Sequence, residues 1–161
     1  STLDPFAKAS FSVAWAGESE SLNWFHIARE YTEKWHHQQQ IRDATGHPGL
    51  LSQELFHPFI ATLMRGLPHT YRNAEAANGA GIKLTVTTDA GGDWYVVRQE
   101  GRWMLTDTFS DTPVASLSIE PDTAWKLFTK GMTPETARKK VTISGNAKLA
   151  EVGLGLIAVM A

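Results

Sequence analysis

Glu33 and His37 stand four residues apart in a stretch, Ala28–Gly46, whose apolar residues recur at helical spacing, so their side chains leave one helix face a turn apart. A carboxylate oxygen and an imidazole nitrogen so placed can grip one divalent metal such as zinc, which takes N and O donors at about 2.0–2.2 Å. A catalytic zinc needs a third protein donor and keeps a further position open for water or substrate. His26 and Glu30 share the same polar stripe and can orient the ligands from a second layer. The spacing equally allows a plain ion pair on a solvated helix face, and it leaves both readings open. His36 points about 100° away from its neighbour His37 and is poorly placed to share an ion with it. The other histidines, His47, His57 and His69, read as surface or loop residues. Other chemistries find no footing. The absence of cysteine excludes disulfides, thiolate–zinc sites and a cysteine nucleophile. Ser52, Ser110 and Ser144 lack a nucleophile-elbow sequence. Gly91-Gly92 and Gly153-x-Gly155 lack the strand–glycine–helix setting of a phosphate loop.

The helix that must carry the pair is predicted from Ser19 or Ser21 to Thr45, stopped by Gly46 and Pro48. Trp24, Ile27, Ala28, Tyr31 and Trp35 form its expected core stripe, opposite His26, Glu30, Glu33, His37 and Gln40. A second helix follows Ser52, and Pro58 inside it is expected to bend or split it. Ala76-Ala77-Asn78-Gly79-Ala80-Gly81 is a small-residue linker, so the expected division is residues 1–78, helical, and 79–161. The second part alternates as strands: Ile82–Val86, Trp94–Gln99, Arg102–Thr106, Ala115–Ile119 and Val141–Ser144. Helices start at Pro121, Thr133-Pro134 and Asn146, the last carrying Leu149, Val152 and Leu156. Gly153 and Gly155 weaken it, so packing must hold it. The fold class is α+β.

The 161 residues carry 15 Lys+Arg against 17 Asp+Glu, a net charge of −2, without the basic excess of a nucleic-acid binder. No apolar run reaches the about 18 residues that cross a bilayer, and no signal peptide opens the chain, so a soluble, cytoplasmic protein is expected. The six tryptophans read as core and interface residues. The start at Ser1 and the apolar Phe6, Phe11, Val13 and Trp15 suggest a longer protein continuing upstream. Such a surface invites self-association.

The segment Ala28-Arg-Glu-Tyr-Thr-Glu-Lys-Trp-His-His-Gln-Gln-Gln-Ile-Arg-Asp-Ala-Thr-Gly46 resembles the last bundle helix of the mycothiol-dependent maleylpyruvate isomerase family, within the wider DinB-like metal-binding superfamily. In that family a Glu-x-x-x-His pair in a Trp-x-His context binds the metal, and the pair maps onto Glu33 and His37 with Trp35 between them. Residues 82–161 resemble the family's small sterol-carrier-like domain, through Trp94-Tyr95-Val96-Val97, Ser118-Ile119-Glu120-Pro121-Asp122, Leu127-Phe128-Thr129 and Val141-Thr142-Ile143-Ser144-Gly145-Asn146. The resemblance implies part of a DinB-like four-helix bundle followed by a small antiparallel sheet with helices. It places the third metal ligand, a histidine, on a bundle helix upstream of this chain, with His47, His57 and His69 as possible substitutes.

The implied chemistry is thiol-assisted isomerisation or S-transfer of a small-molecule substrate. The metal lowers the pKa of a bound low-molecular-weight thiol, so the protein needs no cysteine of its own. Arg98, Arg102, Lys130 and Arg138 are candidates to steady an acidic substrate. The alternative is a non-catalytic module of sterol-carrier type that binds a lipid or other hydrophobic ligand. It predicts an apolar tunnel between the sheet and the last helix. A third possibility is a scaffold whose metal site has decayed.

Overall fold

The computed structural model describes residues 4–12 and 19–157. Helix α1 (Asn23–Thr45) ends at Gly46, whose φ of 67° lies in the left-handed region that a side chain disfavours. Helix α2 (Gln53–Met64) runs unbroken through Pro58, correcting the expected split. Pro58 lies on the exposed side, where water can satisfy the carbonyl that its missing N–H leaves free. A single turn, α3 (Leu67–Thr70), leads to the linker, which is stitched to the sheet: Gly79 N–H donates to Arg98 O (2.7 Å), and Arg98 N–H to Ala80 O (2.9 Å).

Five strands follow the predicted segments closely: β1 (Gly81–Val86), β2 (Gly92–Gln99), β3 (Arg102–Thr106), β4 (Ala115–Ile119) and β5 (Thr142–Gly145). Their order across the sheet is β3-β2-β1-β4-β5. Three pairs are antiparallel, but β1 and β4 run parallel, with Leu84 opposite Leu117, so the sheet is mixed rather than antiparallel. The cause is the return of the chain after β3. Residues 107–114 cross the outer face, and the Phe109 ring lies where a Cβ on Gly81 would stand. The chain therefore re-enters beside β1 in the same direction.

Period-two alternation buries Ile82, Leu84, Val86, Trp94, Val96, Leu117 and Ile119 on the inner face, while Lys83, Thr85, Tyr95, Ser116 and Ser118 line the outer one, half-exposed. The inner face is covered by α2 and α3 and by the later helices α4 (Pro121–Phe128), α5 (Pro134–Arg138) and α6 (Ala147–Val152). Asn146 caps α6 by accepting from Leu149 N–H at 3.2 Å. The helix stops at Val152, short of the expected Leu156, and a 3₁₀ turn (Gly153–Gly155) replaces its end. Gly153 lies so close to Leu117 and the Tyr71 hydroxyl that an added Cβ would meet each at 3.1 Å.

One hydrophobic cluster joins both halves of the chain. At its centre Trp35 stacks on Phe59 (ring centroids 3.9 Å apart) and meets Trp125 edge-on (6.2 Å). The buried side of α1 is not the expected one. Phe25, Thr32, Trp35, His36 and Gln39 are buried, whereas Ile27 is 57% exposed. The helix is turned by about one residue step from its most apolar stripe, and two of the inward polar groups, Thr32 and Gln39, find local partners. Thr32 Oγ1 donates to Arg29 O (2.7 Å), and Gln39 Oε1 accepts from Leu50 N–H (2.7 Å), fixing the α1–α2 connection.

Candidate functional site

The helical spacing of α1 brings the predicted pair together: Glu33 Oε2 lies 3.7 Å from His37 Nε2, and both side chains are substantially exposed. His37 Nδ1 lies 3.2 Å from Gln40 Oε1. In the tautomer that donates from Nδ1 to Gln40, the Nε2 lone pair faces Glu33. The two orienting residues go elsewhere. His26 Nε2 meets Phe11 O at 3.0 Å and its ring packs edge-on against Phe11, while Glu30 is exposed. Among the described residues no group of three or more His, Asp or Glu side chains is arranged to hold a metal ion. The substitute histidines are engaged separately: His57 Nδ1 with Gly91 O (2.8 Å), His47 Nδ1 with Thr45 Oγ1 (2.9 Å), and His69 beside a surface cavity.

His36, poorly placed to share an ion with His37, lies on the inward side of α1. It is buried against Trp125, its Nε2 has no hydrogen-bond partner among the described residues, and burial, aided by the His37 charge against a smaller opposing effect of Glu33, lowers its pKa. Its position within the buried arc of α1 was hidden because the apolar residues of that helix do not mark the arc.

The four basic candidates are dispersed. Arg98 lies over the Trp103 ring (5.6 Å), Arg102 lines an open cleft at the β2–β3 hairpin, and Arg138 is paired with Glu151 (2.6 Å). Lys130 follows α4 and lines a groove with Leu127, Met132, Pro134, Leu154 and Ile157. This groove has a volume of about 220 Å³ and lies between the end of α4, the start of α5 and the 3₁₀ turn. Lys130 holds a left-handed φ of 63°, uncommon for a residue with a Cβ, and turns the chain at the groove's lip. Leu127 and Leu154 are buried, and Ile157 is 53% exposed. Where a tunnel is expected between the sheet and the last helix, Gly153 lies against Leu117, Leu84 and Tyr71, whose hydroxyl donates to Leu149 O at 3.0 Å. The groove beside Lys130 takes none of its lining from the sheet. Sequence spacing could not reveal it, since its lining comes from three elements.

The surface expected to self-associate includes Phe6 and Phe11, both exposed, while Val13 and Trp15 lie outside the described residues. Among the described residues no helix is long and apolar enough to cross a membrane.

No family model matches the chain, and no curated protein matches it. Among solved structures, the chain is similar to sterol carrier protein 2 like 2 from Aedes aegypti, at 18% identity and a TM-score of 0.46 over 61% of this chain and 95% of that one. It is similar also to sterol carrier protein 2 from Yarrowia lipolytica in its apo form (14% identity, TM-score 0.40, 92% and 94% of the two chains). A third is the sterol carrier protein domain 2 of Helicoverpa armigera (19%, 0.38, 65% and 80%). Likeness at this level names no family for the chain.

Proposed function

We propose that this chain is a binding module for a small hydrophobic molecule, held in the groove of Leu127, Met132, Pro134, Leu154 and Ile157. The observation that carries this reading is an apolar concavity left open to water, from which an apolar ligand gains by displacing solvent. Its volume of about 220 Å³ is below the roughly 300–1,000 Å³ of pockets that enclose drug-sized ligands, which favours a single alkyl chain over a fused-ring body. Titration with 1-decanol, followed by methyl NMR, is expected to shift Met132, Leu127 and Ile157 signals selectively. Met132→Trp should fill the groove and abolish the shifts while leaving the circular dichroism unchanged. Absence of shifts, or shifts spread evenly over the surface, would refute the reading.

A second reading is favoured by the approach of Glu33 to His37 and by the Gln40 contact on the far ring nitrogen, the kind of outer partner that metal-bound imidazoles have. In it the two side chains are one arm of a divalent-metal site, zinc being the natural ion for N and O donors. The described residues supply two donors, one fewer than the three protein ligands of a catalytic zinc. Zinc titration by calorimetry tests the pair: Glu33→Ala and His37→Ala should each weaken binding at least tenfold, matching the loss expected when one of few ligands goes. Equal zinc binding by either variant would dismiss it.

A further inference from the structure

A cavity of about 560 Å³ opens between the α3 turn and helix α6, and it shares no residue with the groove beside Lys130. Its volume lies within the roughly 300–1,000 Å³ of small-molecule sites, and Ala74, Leu149 and Val152 give it an apolar floor. The two walls differ in chemistry. Glu75 and the Thr70 hydroxyl stand on one, with Asn73 beside them, and Lys148 and Asn146 stand on the other. Thr70 donates its proton to Gly66 O (2.9 Å), so its oxygen, like the Glu75 carboxylate, is left to accept. Asn146 accepts from Leu149 N–H through Oδ1 (3.2 Å), which leaves its Nδ2 donors on the same wall as the Lys148 ammonium. Elsewhere on the surface opposite charges meet, Lys83 on Asp93 and Arg138 on Glu151. Glu75 and Lys148 line one cavity, yet neither makes a hydrogen bond or ion pair among the described residues. Both are set on pinned backbone. Trp103 Nε1 donates to Ala74 O (3.0 Å), next to Glu75, and the Tyr71 hydroxyl donates to Leu149 O (3.0 Å), next to Lys148. A ligand that brings a charge to each wall therefore meets a frame already formed.

We infer that this cavity binds a free α-amino acid with an apolar side chain, its ammonium on Glu75, its carboxylate on Lys148 and Asn146, and its side chain on the floor. A zwitterion with both charges a few atoms from an apolar body satisfies all three surfaces. A simple acid or a simple amine satisfies only two and leaves one wall facing a charge that it cannot answer. The site stands independently of the groove.

The test compares L-leucine with isocaproate, which lacks the ammonium, and isoamylamine, which lacks the carboxylate, by calorimetry on the full chain. Leucine is expected to bind about tenfold tighter than either, the step that one charge-assisted contact supplies. Glu75→Gln should bring leucine down to the isocaproate level without weakening isocaproate. Lys148→Met should bring it down to the isoamylamine level without weakening isoamylamine. Both side chains are exposed and bond to no described residue, so the fold is not at stake in either change. Met132→Trp, which fills the groove, should leave leucine binding intact. Leucine binding no tighter than isocaproate, or no tighter than isoamylamine, would overturn the assignment of that wall and with it the ligand class. Loss of leucine binding in Met132→Trp would place the ligand in the groove and end the proposal. The absence of any heat beyond dilution would do the same while leaving the groove reading untouched.

Discussion

Lys130 shows how a single residue can be both strained and placed. A left-handed backbone at a residue with a Cβ costs roughly 1–2 kcal/mol, and such strain persists where the surroundings over-determine it. Glycine, which carries no such penalty, would be the residue of choice after α4 if the fold alone mattered, and Gly131 stands one position later. Lys130→Gly is therefore expected to be more stable than Lys130→Ala by about 1 kcal/mol, the alanine keeping the strain and losing the stem. Urea unfolding of the two variants measures this, and equal stability would show that the φ carries no cost. At this scale the sequence was legible where chemistry follows spacing. Glu33 and His37 lie where four-residue spacing puts them. Lys130 read only as one of four basic candidates, because nothing in its neighbours announces a left-handed backbone.

Individual elements were legible in proportion to their period. Alternation marked all five strands, and the caps at Thr133 and Asn146 lie where the sequence places them. Helix α1 was legible in extent but not in orientation, since its buried arc holds Thr32, His36 and Gln39 while Ile27 and Ile41 face outward. The parallel pairing of β1 with β4 was equally hidden, because alternation is the same for either direction. On the outer face of β1 and β2, Asp93 accepts from Thr85 Oγ1 (2.6 Å) and pairs with Lys83 (2.9 Å). Partial burial alone would raise the Asp93 pKa, but these two partners outweigh it and hold the carboxyl below its ordinary 3.8. A depressed carboxyl pKa means that the unfolded chain binds the proton first, so the pair's contribution is present above about pH 4 and drains away as pH falls further. Asp93→Asn should lower stability above about pH 4 by a small amount, because the partners are solvent-screened, and flatten the acid limb by that same amount. Denaturant midpoints between about pH 5 and pH 2.5 would decide it, and an unchanged limb would assign the acid sensitivity to other carboxylates.

For the molecule as a whole, the expected division at residues 78 and 79 meets a core that ignores it. Trp35 of α1 packs on Phe59 of α2 and on Trp125 of α4, and the same cluster continues through Leu84, Leu117 and Leu154. Lys126 adds a polar tie, bridging Asp43 of α1 and Asp122 of α4 at 3.1 Å each. A composition change is a guide to where the chain alters its local habit, but cooperativity follows shared buried surface, which composition does not report. The chain should accordingly unfold in one transition, with helix and tryptophan signals moving together and calorimetric and van't Hoff enthalpies equal. Trp35→Ala, which empties the point where three elements meet, should cost about 3–5 kcal/mol and shift both signals by the same amount. Two separated transitions, or a variant that displaces only the helical signal, would instead mean that the helices and the sheet fold as independent units and that the linker at 76–81 is a true boundary.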